Sequence, residues 1–306
     1  MPEGDTIYRA ARTLNKALAG KVVTGFETSL AKLASVNDNT PVIGRAVERV
    51  EARGKWCLIF FSGDLILLTH MLMSGSWHIY RTGERWQAPR SAMRIAITCG
   101  DLQAVGFNIP VAEFHTGRSL QRSANVPKLG VDILGGAYST DEGMNALRQY
   151  ARSHPEAEVA NALLNQRVLA GLGNVYKSEV AFAAGVHPFR QMHTLTDREL
   201  ERLADIAGRF MKANVSDGKG DGIVTYAGNR RTTRAMDRSD RLWVYGRRGQ
   251  DCRRCGATIE MRKQGTGARS TYWCPSCQPW VAAHDQRTDP PRGHNEKPVR
   301  KSKSSC

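Results

Sequence analysis

The chain has 306 residues, a hydrophobic content of 41% and a formal net charge of +15. This length suits about two domains, and the excess of Lys and Arg predicts a polyanionic partner, with nucleic acid favoured over a membrane surface. No apolar run reaches the roughly 18 residues of a membrane span, and the polar N-terminus does not resemble a signal peptide, so we expect a cytoplasmic protein.

The first predicted element is a helix, followed by a region of strands. In DTIYRAARTLNKALAGK the apolar residues recur at steps of three and four, and Gly20 is typical of a helix end. From Lys21 to about Phe114 the pattern changes to short β-rich runs separated by Gly, Asn and Asp. Short strands at this spacing predict a β-sandwich or a barrel.

The second half of the chain has helical periodicity. We interpret residues 117–137, rich in Gly and Arg, as a linker, and four helical patterns follow it. The predicted organisation is an N-terminal β domain over 1–116, a helical domain over 138–246, a cysteine-containing unit over 247–280 and a disordered basic tail over 281–306. The fold class is therefore α+β with several domains.

Four of the seven cysteines form two CxxC pairs. Cys252 and Cys255 are followed, after eighteen residues, by Cys274 and Cys277. This spacing is typical of zinc held by two hairpins, because both thiolates of each pair can reach one metal at about 2.3 Å. Four protein ligands leave no open position, so we expect one structural Zn²⁺; a pair of disulfides is the alternative.

The region around these cysteines is strongly basic. Between Gly228 and Tyr272 there are 12 Arg or Lys and four Asp or Glu, and Arg269 lies between the two cysteine pairs. Because guanidinium groups suit phosphates, we interpret this unit as a nucleic-acid contact; a merely solvated basic face is the alternative.

A glycine-containing turn, LAGLG, precedes the helical pattern NVYKSEVAFAAG. Two helices joined in this way resemble a helix-turn-helix. The backbone amides at the start of the second helix can hold a phosphate, with Asn174 and Lys177 as side-chain helpers. A plain helical hairpin is equally compatible with the pattern.

Two further positions could take part in chemistry, although the residues around them give little evidence for such a role. Lys55 stands at a strand entry in EARGKWCLIFF, where a lysine is ordinarily a solvated edge residue. Pro2 has a free secondary amine once Met1 is removed, and a helix N-terminus favours the neutral, nucleophilic form of that amine. Glu3 is a potential general acid or base. An inert chain start is the alternative interpretation of Pro2.

Together and in this order, these motifs resemble the Fpg/Nei family of bifunctional DNA glycosylases over about residues 1–280. MPEGDT is similar to the family's catalytic N-terminus, RGK to its lysine segment, GLGNVYKSE to its helix-two-turn-helix and the CxxC pairs to its zinc finger. The resemblance implies an N-terminal β-sandwich flanked by helices and a C-terminal helical domain with the helix-two-turn-helix and a β-hairpin zinc finger.

The resemblance also implies roles for single residues. DNA would lie in a basic cleft between the domains, with the damaged base flipped out. Pro2 would attack C1′, Glu3 would protonate the sugar or the leaving system, and Lys55 would bind a phosphate near the lesion. Asn174 and Arg269 would clamp the flanking phosphates. The iminium intermediate would lead to β- and δ-elimination.

Flipping a base leaves a gap that apolar side chains usually fill. The family carries such residues in the segment that reads HMLMSG here, so Met71, Leu72 and Met73 are candidates. Their alternative role is that of core residues on a strand.

The resemblance bears on the lesion as well. Fpg members typically carry an RRFG-like segment, whereas the corresponding AVGFNIPVAEF has no arginine, and Thr6 stands where members often carry Glu. The missing arginines favour the endonuclease VIII branch and oxidised pyrimidines over 8-oxoguanine and formamidopyrimidines.

The expected partner is damaged double-stranded DNA, bound by a monomer, with nucleoid association if the source is bacterial. Two alternatives come from other functional classes: a non-catalytic zinc-containing DNA-binding protein and a zinc-ribbon RNA-binding protein.

Overall fold

The computed structural model describes residues 2–123, 128–216 and 242–280. The helices are α1 (Gly4–Leu18), α2 (Ala31–Asn39), α3 (Gly117–Arg122), α4 (Thr140–Ser153), α5 (Val159–Leu164), α6 (Asn174–Ala184) and α7 (Asp197–Ser216). The strands are β1 (Gly25–Thr28), β2 (Val47–Arg53), β3 (Trp56–Phe61), β4 (Leu65–His70), β5 (Ser76–Arg81), β6 (Met93–Cys99), β7 (Leu102–Phe107), β8 (Val111–His115), β9 (Val131–Asp132), β10 (Leu169–Ala170), β11 (Glu260–Gln264) and β12 (Arg269–Trp273).

The first eight strands form two four-stranded antiparallel sheets. Their orders are β1-β6-β7-β5 and β2-β3-β4-β8. Ile59 and Leu67 of one sheet lie in the same buried cluster as Ile95 and Ile97 of the other, because alternate strand residues point to one face. This shared core confirms the β-sandwich.

Helix α1 packs against the sandwich core along one face. Ile7, Leu14 and Leu18 are buried in the same cluster, as their helical spacing predicts. Burying each of these side chains contributes roughly 1.5–3 kcal/mol. The packing holds the first residues of the chain against the body of the protein.

The segment interpreted as a linker is partly structured. Helix α3 has a capping box between Thr116 and Ser119, and its Leu120 packs on the outer face of β3 and β4. Strand β9 pairs in parallel with β10, with Val131 opposite Leu169. Both elements depend on partners far along the chain, which is why a local pattern does not reveal them.

Helices α4 to α7 build a second core. Leu147, Leu163, Tyr176 and Leu203 are buried in it. Helix α6 is buried almost all round, with ten of its 11 residues inside the protein. It occupies the centre of the helical domain and also contacts the cysteine-containing hairpin.

The hairpin β11–β12 is fastened to the helical domain by side-chain hydrogen bonds. Tyr272 N donates to Ser178 Oγ (3.3 Å), and Gln264 Nε2 donates to Glu158 Oε2 (2.6 Å) and to Pro188 O (3.3 Å). The hairpin is thus oriented relative to α6.

Within the described ranges, no helix combines the length and apolar character needed to span a membrane. The predicted tail over 281–306, like residues 217–241 of the predicted helical domain, lies outside those ranges.

Candidate active site

The turn before α6 is the place where distant segments of the chain meet. Gly4 N donates to Gly171 O (2.9 Å), and a Cβ on Gly4 would lie 2.7 Å from Gly171 Cα. Gly171 has φ of +104°, a conformation that favours glycine. The two backbones therefore approach each other at a distance that only glycine at position 4 allows.

Glu3 is fully buried and its carboxylate binds the N-terminus of α6. Oε2 accepts from Gly173 N (3.0 Å) and Tyr176 N (3.4 Å), and Oε1 accepts from Val175 N (2.9 Å). A carboxylate here satisfies helix amides and lies at the positive end of the helix dipole. Residues 170 positions apart in sequence are thereby joined.

This contact corrects one prediction from the sequence. The amides at the start of α6 were expected to be open to a phosphate, but Glu3 already accepts the hydrogen bonds of three of them, Gly173 N, Val175 N and Tyr176 N. A local motif cannot show which distant side chain reaches a helix N-terminus.

Pro2 is buried and directly precedes the two anchored residues. Because Glu3 is held by its carboxylate and Gly4 by its backbone, Pro2 has a defined position at the junction of the two domains. It is therefore not a frayed chain end, in contrast to most N-termini.

Lys55 reaches the same junction from the sandwich. It is half-buried and follows Gly54 in the turn between β2 and β3. Gly54 N donates to Asp132 Oδ2 (2.8 Å), and a Cβ on Gly54 would lie 3.5 Å from Gly171 N. The turn that carries Lys55 therefore packs against the turn that holds Gly4.

Asp132 is a residue that sequence reasoning missed. Its Oδ1 accepts from Leu134 N (3.1 Å), an Asx-type contact, while Oδ2 accepts from Gly54 N. Burial raises the pKa of Asp132, and these backbone N–H groups oppose that shift. The Asp within GVDILGG was the only local signal, and it does not reveal the distant partner Gly54.

His70 lies beside Lys55 at the end of β4. Burial first, and the charge of Lys55 second, lower the pKa of His70 to about 4. Its Nδ1 accepts from Leu72 N (3.0 Å), so the neutral ring fixes the turn in which Leu72 has φ of +44°. His70 thus connects the Lys55 region with the turn that follows.

The three candidate gap-filling residues do not share one environment. Leu72 and Met73 are 47% and 60% exposed, whereas Met71 is 1% exposed and packs in the sandwich core. For Met71 the core role applies, since a side chain inside the sandwich is not presented to DNA. Leu72 and Met73 remain candidates.

Asn174 and Lys177 lie on the first turn of α6 and are both buried. Asn174 Nδ2 donates to Tyr245 Oη (3.4 Å), whereas no hydrogen-bond partner for Asn174 Oδ1 or Lys177 Nζ occurs in the described ranges. Burial first, and then the charge of Arg269, lower the pKa of Lys177 to about 8. Arg269 is exposed at the start of β12.

Glu179 is a second residue without a sequence-based prediction. It is fully buried, and its carboxylate accepts from Trp243 N (2.8 Å), Val244 N (2.9 Å) and Tyr245 N (2.8 Å). The single acidic residue of NVYKSEVAFAAG was the available signal. Tyr245, the last residue of the segment 243–245 that Glu179 binds, also contacts Asn174.

The four predicted zinc ligands come together in one cluster. Their Sγ atoms all lie within 4.8 Å of one another, with Cys252 to Cys277 at 3.9 Å and Cys255 to Cys274 at 3.5 Å. Tetrahedral zinc–thiolate bonds of about 2.3 Å place sulfurs about 3.8 Å apart. Disulfides require about 2.05 Å. The cluster therefore fits one structural Zn²⁺.

Comparison with known proteins agrees with this geometry. Three family models match the chain: the formamidopyrimidine-DNA glycosylase N-terminal domain over residues 1–109, its H2TH domain over 129–225, and the zinc finger found in FPG and IleRS over 249–279. The probable endonuclease 8 2 of Streptomyces coelicolor is 38% identical over 281 residues, covering 91% of this chain and 94% of that protein. This chain belongs to the Fpg/Nei family.

Further similarities bear on the branch of the family and on the fold of this Fpg/Nei protein. The DNA-(apurinic or apyrimidinic site) lyase Nei2 of Mycolicibacterium smegmatis is 35% identical, with 91% of this chain and 99% of that protein covered. A Lactococcus lactis Fpg structure, in complex with DNA containing an abasic site, superposes with a TM-score of 0.74 at 22% identity, covering 91% of this chain and 100% of that chain. The names of the relatives support the Nei branch, and the superposition confirms the fold.

Proposed function

We propose that this Fpg/Nei protein is a bifunctional DNA glycosylase and apurinic/apyrimidinic-site lyase that removes oxidised pyrimidines from double-stranded DNA. The observation that carries the proposal is the convergence of three segments at Gly171. Glu3 and Gly4 hold Pro2 there, Asp132 holds the Lys55 turn there, and α6 begins there. The segment that carries the Pro2 amine and the Glu3 carboxylate and the distant turn that carries Lys55 thus pack against one junction.

In the proposed reaction Pro2 is the nucleophile. Its nitrogen forms a bond to C1′ while the bond from C1′ to the damaged base breaks, and the base leaves with the electron pair and takes up a proton. Glu3 carries the proton released by the Pro2 nitrogen to the ring oxygen of the sugar, which opens to an iminium ion. The fixed carboxylate makes this transfer directional.

The iminium ion then drives strand cleavage. It withdraws electrons, so loss of a proton from C2′ expels the 3′ phosphate, and a second elimination expels the 5′ phosphate. Water hydrolyses the remaining iminium and frees Pro2. Lys55 binds a phosphate next to the lesion and stabilises the charge that develops there.

The DNA contacts follow the basic surface of the helical domain and the zinc finger. Asn174 and Arg269 clamp phosphates that flank the lesion, and Lys177 assists them. Leu72 and Met73 fill the gap left by the flipped base, which agrees with their exposure on a turn fixed by His70. A monomeric state and a cytoplasmic location remain predictions.

The preference for pyrimidine lesions rests on the connection between β7 and β8. It consists of Asn108, Ile109 and Pro110, and Ile109 is fully buried in the sandwich core. This connection offers no arginine to the space opposite the lesion. The N-terminal family model, named for formamidopyrimidine lesions, keeps a purine-directed activity as the second candidate.

Borohydride trapping tests the catalytic step. Incubation with a duplex containing an abasic site or thymine glycol should give a covalent protein–DNA adduct, and Pro2→Gly should give none. Pro41→Gly is the matched control, because Pro41 is exposed and remote from the junction, and it should form the adduct normally. Binding by the wild type without any adduct would indicate a non-catalytic DNA-binding protein. Equal affinity for undamaged duplex and for RNA would support a zinc-ribbon RNA-binding protein.

The lesion preference needs a paired assay. Turnover of thymine glycol duplex should exceed turnover of 8-oxoguanine duplex at equal enzyme concentration. Equal or purine-favouring rates would assign the protein to the second candidate activity.

The reaction also requires removal of Met1, because a Pro2 acylated by methionine has no free amine. A tag retained before Pro2 should abolish base excision while leaving the Kd for DNA nearly unchanged. The same tag placed after Cys306 is the control. Undiminished excision by the N-terminally tagged protein would exclude Pro2 as the nucleophile.

A further inference from the structure

The zinc finger carries an aromatic groove that the proposed reaction does not use. The groove has a volume of about 430 Å³ and lies between the segment after α6, both strands of the β11–β12 hairpin and the residues that follow β12. Its side chains include His187, Phe189, Glu260, Arg262, Trp273 and Trp280. Four aromatic rings beside one cation and one anion form a surface that suits a ligand with both apolar and polar parts.

The aromatic rings of the groove meet at steep angles, and one of them stays open to solvent. The His187 ring centroid lies 5.6 Å from that of Trp273 and 5.1 Å from that of Trp280, with interplanar angles of 61° and 82°. Trp273 is buried, whereas Trp280 is 62% exposed. The Trp280 ring therefore rests on a buried neighbour and offers a flat apolar surface on which a planar ligand can stack.

Two charged side chains border these rings. The guanidinium carbon of Arg262 lies 3.8 Å from the centroid of the Phe189 ring, and the residue is exposed. A guanidinium that stacks through its face keeps its N–H donors, which lie in its plane, for a phosphate. Glu260, which is exposed opposite Trp273 in the hairpin register, offers a carboxylate acceptor.

The groove is separate from the phosphate contacts proposed above. Tyr272 packs against Tyr245 with ring centroids 5.0 Å apart, and Tyr245 Oη contacts Asn174. Trp273 is the next residue of β12, so its side chain points to the opposite face of the hairpin. Arg269 begins the same strand four residues earlier, roughly 13 Å away along β12. A strand that leaves the duplex near Arg269 reaches the groove within a few unpaired nucleotides.

We infer that this groove binds an unpaired nucleotide of a DNA strand that leaves the duplex, with its base stacked on Trp280 and its phosphate bound by Arg262. The inference rests on the proposed DNA binding. Every base has a π face, and aromatic rings beside cationic side chains are typical of single-strand sites. The net charge of +15 favours nucleic acid over a proline-rich peptide, which aromatic grooves also bind. The Glu260 carboxylate accepts a hydrogen bond from an exocyclic amino group, so cytosine is preferred to thymine.

The first test measures the affinity gained from an overhang. The Kd of the Pro2→Gly protein, which cannot react, is compared for a blunt duplex carrying a tetrahydrofuran abasic-site analogue and for the same duplex with a short dC overhang, 3′ or 5′, on either strand. The best overhang should lower Kd about tenfold. Trp280→Ala should lose most of this gain, Trp280→Tyr should keep most of it, and Ser276→Ala, exposed outside the groove, should keep all of it. No gain from any overhang overturns the inference.

The second test separates the charged groups. Arg262→Gln should reduce the salt slope of the overhang gain by about 0.7, the value for one phosphate contact on a single strand. Lys263→Gln removes the neighbouring cation on the other face of β11 and should leave that gain unchanged. Equal effects of the two substitutions overturn the assignment of Arg262. A dT overhang should bind about threefold more weakly than dC, and Glu260→Gln should remove this difference. Equal Kd values for dC and dT overturn the role of Glu260.

Base excision from a blunt duplex distinguishes this inference from the proposed function. In the Pro2-containing protein, Trp280→Ala should excise thymine glycol from a blunt duplex at the wild-type rate, because the groove contacts no reacting atom. Absence of excision by the wild type would refute the proposed catalysis and leave the overhang measurement unaffected. Trp280-dependent binding of a proline-rich peptide, without any overhang gain, would assign the groove to a protein partner and overturn the inference.

Discussion

The contact between Gly173 and Glu3 allows a quantitative prediction for Gly173→Ala. Gly173 has φ of −125°, which alanine adopts freely, so the substitution acts through its new methyl group alone. A Cβ at this position would lie 2.5 Å from Glu3 Cγ and 2.7 Å from Glu3 Oε1, whereas ordinary contact begins at 3.4 Å. The carboxylate must therefore retreat by about 1 Å.

A retreat of about 1 Å lengthens the hydrogen bonds from the α6 amides beyond useful range. Hydrogen bonds to a charged group contribute about 1.5–3 kcal/mol each, and partial relaxation recovers some of this, so we expect a loss of roughly 3 kcal/mol. A misplacement of this size at a catalytic group costs about 100-fold in rate. Because no phosphate contact is altered, the Kd for DNA should change little.

The assay is single-turnover base excision on a thymine glycol duplex, combined with a thermal melt and a binding titration. Gly136→Ala is the matched control, because a Cβ at this exposed position meets nothing within 4 Å. The control should retain wild-type rate and stability. A Gly173→Ala protein with an excision rate within threefold of wild type would refute the argument that Glu3 must be held by α6.

Three further predictions concern other parts of the site. Asp132→Asn should slow adduct formation by misplacing the Gly54 amide. If Asp132 acts only through Lys55, the same substitution should not reduce the rate further in a Lys55→Ala background. Equal rate losses in both backgrounds would contradict this. Lys55→Ala should raise the pKa of His70 above about 4, as measured by NMR of its ring. An unfolded histidine binds a proton near pH 6.5, so the stability contributed by neutral His70 should be complete above that pH and should decline as the pH falls toward 4. Chelation should release one zinc per chain and weaken DNA binding at least tenfold while the β-sandwich core stays folded, whereas Cys57→Ser should leave zinc content unchanged.

Local patterns were sufficient for the regularly periodic elements, such as α1 and the strands of the sandwich, and for the metal ligands, but not for α3 or the β9–β10 pair. The steps of three and four in α1 and the short spaced strands reflect periodicities of the backbone itself, and both appear in the structure. The CxxC spacing predicted four ligands that do cluster, because each pair closes a tight knuckle without help from the rest of the chain. The order of the motifs was specific enough to indicate the family.

The tertiary structure alone decided how the site is assembled. That Glu3 would occupy the amides of α6, that Asp132 would hold the turn of Lys55, and that Met71 would face the core are consequences of packing between residues far apart in sequence. No periodicity or spacing encodes such contacts, since each depends on where two separately folded surfaces meet. The sequence thus determined which chemical groups the protein has, and the packing of the sandwich against the helical domain determined which of them meet at Gly171.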